Sequence, residues 1–113
     1  LDVFFFTSAE GKSPVEKFIN EQNPPARRKI YRTIDLLKSF GLQLPGKHLK
    51  RMSGTESLWE LRIKASGKNY RIFFSRIGNR IVLLLHAIAK KEQKTPKQDI
   101  KTAQERLKQY EDH

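Results

Sequence analysis

Cysteine is absent from the chain. Without thiols there is no disulfide framework and no thiolate zinc site, and the composition suits a reducing compartment such as the cytoplasm. Long apolar runs are missing as well. The longest, from Ile81 to Ile88, is interrupted by His86 and has the length of a strand, well short of the ~18–20 residues that cross a bilayer, so no membrane partner is expected. Phe4-Phe5-Phe6 is too short for a cleavable leader and lacks the basic start of one; the first residue is Leu1 rather than Met, as in a trimmed chain. Acidic residues are few, 12 against 23 Lys and Arg, and too scattered for a metal-dependent nuclease. With no cysteine beside them, His48, His86 and His113 offer no metal-ligand spacing, so neither metal nor cofactor is expected. No GxxxxGK[ST] loop, GxGxxG loop or G-x-S-x-G elbow occurs, which removes support for nucleotide hydrolysis, dinucleotide binding and serine-hydrolase chemistry.

What is present is a single domain, residues 1–113, with 37% hydrophobic and 10% aromatic residues, enough for a modest core. Its net charge of +11 is unevenly spread. Residues 44–94 hold twelve basic and three acidic residues, a net of +9, whereas residues 1–43 carry +2 and residues 95–113 carry none. A basic centre between near-neutral flanks is the footprint of a polyanion-binding face, with solvated surface lysines as the plainer reading.

The pattern predicts an α+β fold in the order βααβββα: an antiparallel sheet with an N-terminal αα-hairpin and a C-terminal helix packed on it. Val3 to Thr7 reads as a strand. Ser13-Pro14-Val15-Glu16 reads as a capping box opening a helix to about Gln22, and Asn23-Pro24-Pro25 opens a second. In that second helix Ile30, Ile34 and Leu37 recur on one face, with Phe40 near the end and Gly41 as its C-terminal cap; Arg27, Arg28, Lys29 and Arg32 occupy the other face. Residues 42–57 read mainly as loop. Strands are expected over 58–63, 68–76 and 80–89, the last covered on both sides. Thr95-Pro96-Lys97-Gln98 reads as another capping box, opening a helix that buries Ile100, Ala103, Leu107 and Tyr110.

Pairing the strands shows which polar groups meet. If residues 64–67 close the first hairpin, Glu60 lies opposite Arg71 and Arg62 is diagonal to it, so two guanidiniums and one carboxylate converge on the face turned away from the core. That is either a surface salt bridge of little value or a cationic surplus suited to phosphate. For the next hairpin, a three-residue turn (Ile77 to Asn79) puts Leu85 opposite Arg71 and brings Lys91 to the arginine face. A two-residue Gly78-Asn79 turn instead puts His86 opposite Arg71, with Lys90 on that face. His86 is a candidate proton carrier, or a histidine packed into an apolar strand. Cations and one imidazole suit RNA cleavage without metal, because the 2′-hydroxyl is an internal nucleophile.

Leu58-Trp59-Glu60-Leu61-Arg62, then Gly67 through Tyr70-Arg71-Ile72-Phe73-Phe74, then Ala89-Lys90-Lys91-Glu92-Gln93-Lys94-Thr95-Pro96 resemble the HigB-type (phage Gp49-like) branch of the RelE/ParE toxin superfamily, and residues 103–110 fit its closing helix. The resemblance implies a RelE-like fold and the toxin of a bacterial toxin–antitoxin pair. Such a toxin is a metal-independent endoribonuclease that cuts mRNA on the ribosome and is neutralised by a HigA-like helix-turn-helix antitoxin, with DNA met only through the antitoxin complex. Carried over residue by residue, it implies catalytic roles for Arg62, Arg71 and Lys91, with His86 for proton transfer, and RNA or phosphate binding by Lys50, Lys68, Lys90 and Lys94. The RelE tyrosine near the last helix has no counterpart, since Lys94, Thr95 and Lys97 stand there. A ParE-like gyrase inhibitor and a non-catalytic RNA- or ribosome-binding protein are the competing readings.

Overall fold

Alternation of apolar side chains along three successive strands builds a sheet that is covered on both faces. The computed structural model describes residues 1–52, 54–55, 57–90 and 96–112. In chain order these form β1 (Asp2–Phe5), α1 (Pro14–Asn20), α2 (Pro24–Phe40), a 3-10 turn (Gly41–Gln43), β2 (Leu49–Arg51), β3 (Trp59–Ala65), β4 (Lys68–Ile77), β5 (Ile81–Lys90) and α3 (Lys97–Glu111). The fold is α+β, with three helices and a five-stranded mixed sheet ordered β1-β5-β4-β3-β2. No helix among the described residues is long and apolar enough to cross a membrane.

Helices α1 and α2 bury Val15, Ile19, Ile30, Ile34 and Leu37 against Leu61, Ile63, Tyr70, Ile72, Phe74, Val82 and Leu84. On the opposite face α3 brings Ala103 and Leu107 to Phe6, Met52, Leu58, Phe73, Leu83 and Leu85. Strand β5 contributes residues to both clusters, as its apolar run requires.

The sheet departs from the expected one in two ways. It is mixed, because β1 runs parallel to β5, Asp2 beside Ile81 through Phe5 beside Leu84; a parallel neighbour needs a long crossover, which the whole intervening chain supplies. It also has an additional strand: β2 lies within the stretch expected as loop and pairs antiparallel with β3. Three residues, of which Leu49 alone is buried, are too few to display a period of two.

Helix starts follow the predicted caps unevenly. Ser13 makes no side-chain cap bond, so the first capping box does not close. Asn23 does cap α2, its Oδ1 accepting from the Ala26 N–H at 2.9 Å and from the Ser66 hydroxyl at 3.1 Å. That one oxygen ties the start of α2 to the β3–β4 turn. Asn23→Ala is expected to cost about 1 kcal/mol, read as a lowered urea midpoint with an unchanged slope. Pro96 stands at the N-cap of α3; Thr95, expected there, lies outside the described residues. At the far end of α2, Gly41 caps with φ +58°, its N–H on the Leu37 carbonyl, and a Cβ there would meet Leu1 Cδ1 at 2.9 Å. Tyr110, expected on the buried stripe of the last helix, is exposed, as is Phe40; each lies on the last turn of its helix.

Candidate functional site

Two turns and one bulge set the register of the central strands, and each differs from expectation. The β3–β4 hairpin closes in two residues, Ser66 and Gly67, both with positive φ (52° and 73°), the backbone that matches strand twist in a tight hairpin. Arg62 therefore lies directly opposite Arg71, and Glu60 opposite Phe73, a slip of two that leaves every side chain on its expected face. The β4–β5 turn spans residues 78–80, so Ile77 pairs with Ile81, and a bulge between Phe73 and Phe74 shifts the remainder. Arg71 then faces Ile88, whereas both expected registers placed Leu85 or His86 there. His86 faces Phe73, and Lys90 faces Asn69.

The face expected to be solvated is buried at its centre. Glu60 has no exposure and Arg71 only 5%. Glu60 Oε1 accepts from Arg62 Nε at 2.7 Å and forms an ion pair with Arg71 NH1 at 3.4 Å. Arg62, on the outer strand of the pair, keeps a third of its side chain exposed. Arg62 and Arg71 are among the residues that line a hollow of about 410 Å³, with Lys29 of α2, Lys47, His48, Ile63, Lys64, Asn69 and Tyr70; Ile63 and Tyr70 belong to the face that α1 and α2 cover. Among the described residues that lining holds no carboxylate.

Lys50 pairs with Glu60 across β2–β3, shares the face of Arg62 and Arg71, and is exposed. Lys90 joins that face half-buried, one row beyond Arg71 on β5. Lys68 pairs with Ala65, and alternation turns it toward the opposite face. Lys91 and Lys94 lie outside the described residues. The hollow also brings in Lys47 and Lys64, which no motif singles out, His48, and Lys29 of the basic face of α2. Lys64 follows from Arg62 by alternation, whereas Lys29 arrives from α2, a contact that only the tertiary fold makes.

His86 is engaged elsewhere. Arg106 of α3 donates to its Nδ1 at 3.1 Å and to the Leu85 carbonyl at 2.9 Å. A guanidinium only donates, so the ring proton sits on Nε2 and is given to Asp99 Oδ1 at 2.8 Å. The imidazole also stacks on Phe73, with centroids 5.9 Å apart and planes at 17°. Burial pushes the Arg106 guanidinium below its ordinary pKa. His86 thus clamps α3 to the sheet. Arg106→Ala orphans two acceptors and is expected to cost about 2 kcal/mol, measured by chemical denaturation.

A pair of guanidiniums fixed at one carboxylate is suited to a phosphodiester: each presents a planar fork to phosphate oxygens. No group of three or more His, Cys, Asp or Glu side chains able to hold a metal ion occurs among the described residues. In comparisons with known proteins, the family model described as Phage derived protein Gp49-like (DUF891) matches residues 17–108. A search of curated proteins found no match.

Proposed function

The chain belongs to the phage-derived Gp49-like family, and we propose that it is the toxin of a toxin–antitoxin pair, a metal-independent mRNA endoribonuclease acting on the ribosome. The observation that carries this reading is the Arg62–Arg71 pair at one hollow. In the proposed reaction the 2′-oxygen of the target nucleotide attacks the adjacent phosphorus and the 5′-oxygen of the next nucleotide leaves. The products are a cyclic phosphate and a free 5′-hydroxyl. Arg62 and Arg71 hold the non-bridging oxygens and stabilise the charge that grows on them. The 2′-hydroxyl proton passes to solvent, and the leaving oxygen takes one from an ammonium group, Lys50 or Lys91 in this reading. His86, with both ring nitrogens engaged by α3, positions that helix rather than moving protons. Lys90 and Lys94 extend the phosphate track. The partners in this reading are the ribosome with its mRNA, and a HigA-like helix-turn-helix antitoxin that covers the hollow or blocks entry to the ribosome.

A pulse of expression followed by mapping of transcript 3′ ends tests the reading. Cuts at discrete positions within translated codons, lost when ribosomes are omitted from an extract, are expected. Intact transcripts accompanied by DNA damage would replace it with gyrase poisoning, and intact transcripts with stalled ribosomes would replace it with simple binding.

A further inference from the structure

We propose that Glu60 is a positioning residue: its buried carboxylate, bridging Arg62 and Arg71 through one oxygen, fixes the two guanidiniums relative to each other and sets the net charge that a phosphate meets at them. The assignment rests on the ribonuclease reading for its kinetic consequence, but not for its geometry.

Arg62 and Arg71 occupy directly opposed cross-strand positions, where like charges repel. Glu60 is diagonal to Arg71 and has no exposure, yet its Oε1 reaches Arg62 Nε at 2.7 Å and Arg71 NH1 at 3.4 Å. A fold alone has no need of this trio, since apolar residues of similar volume fill such sites as well or better. Phe73, directly across from Glu60 on the same face, does so in the adjoining cluster. The carboxylate takes Nε of Arg62 and not its two terminal amino groups, and a third of that side chain is exposed. The trio carries one unit of positive charge, held from below, while the visible lining stays cationic. This is preorganisation of donors at the place where phosphoryl charge develops.

The sign of the kinetic effect separates positioning from simple binding. Glu60→Gln keeps the shape and one acceptor oxygen but removes the negative charge, so the site gains positive charge and loses aim. On purified ribosomes carrying a defined mRNA, turnover is expected to fall by roughly 10²-fold, with KM unchanged or lowered. Glu60→Asp keeps the charge but retracts it by one methylene, and is expected to lose turnover with KM unchanged. A spectroscopic readout needs no activity: in protein labelled with 15N-arginine, the Arg62 Nε–H resonance is expected to be shifted and slow to exchange in the wild type and to lose both properties in Glu60→Gln. A raised KM with unchanged kcat, turnover within twofold of wild type, or an Arg62 signal indifferent to the substitution would overturn the assignment. So would failure of both variants to keep the wild-type fold, which would make Glu60 purely structural. Arg71→Ala is run alongside: if it cleaves normally, or if the wild type does not cleave, the ribonuclease reading falls while the Arg62 signal still judges Glu60.

Discussion

Alanine at Arg71 is expected to lower ribosome-dependent cleavage by about 10²–10³-fold, the scale of losing one preorganised donor from an oxyanion site, and to abolish toxicity in growing cells. Arg71 has little exposure of its own but lines the hollow, so its loss removes a fixed charge from the place where the attacked phosphorus would sit. The fold survives the change, because Glu60 keeps Arg62 at 2.7 Å and is not left as a lone buried charge. The stability cost is about 1–3 kcal/mol. Arg71→Lys provides the sharper comparison. It restores the charge without the planar fork and is expected to recover only part of the rate. Arg62→Ala should resemble Arg71→Ala, and the double variant should fall short of the product of the two losses, since both donors act on one phosphate. Cleavage by Arg71→Ala within a few-fold of wild type, measured in a single-turnover assay, would remove the hollow from the mechanism.

Alanine at Phe73 is the change expected to damage the fold most. The ring is fully buried and belongs to the cluster under α3. It also forms the floor on which the His86 imidazole stacks. Truncating a buried phenylalanine costs about 3–5 kcal/mol, a large share of the roughly 5–15 kcal/mol that holds a domain of this kind together. The damage should spread asymmetrically. Loss of the ring frees His86, and with it the Asp99 and Arg106 contacts that anchor α3. Amide exchange is therefore expected to accelerate in α3 well before α2, whose contacts lie on the other face of the sheet. A loss below about 1.5 kcal/mol in urea titrations, or uniform acceleration of exchange in both helices, would contradict this account of how α3 is held.

Strand identity and facing were readable because alternation survives errors of two. Trp59, Leu61 and Ile63 share the core face that alternation predicts, although the hairpin turn has two residues instead of four. The same tolerance kept Arg62 and Arg71 together while misplacing Glu60 relative to them. Parity-changing errors were less forgiving. The bulge between Phe73 and Phe74 inserts one residue into β5, and no local composition marks it. It moved His86 away from Arg71 and toward α3. Burial of the polar face was also hidden, because Glu60, Arg62 and Arg71 look solvated in one dimension. Their enclosure comes from elements remote in sequence, the short edge strand β2 among them. The Asn23 cap was legible from Asn-Pro-Pro; its second bond to Ser66, 43 residues away, was not.

The parallel pairing of β1 with β5 has a consequence for biosynthesis. Residues 2–5 are made early, but the strand that completes their hydrogen bonds begins at residue 81. Until then Phe4-Phe5-Phe6 is an unpartnered aromatic segment of the kind that seeds intermolecular association. The hairpin carrying Arg62 and Arg71 is contiguous and can close by itself. The nascent protein can thus close this hairpin before its opening strand is sealed, so a chaperone or an early-binding partner would have a long opportunity at that strand.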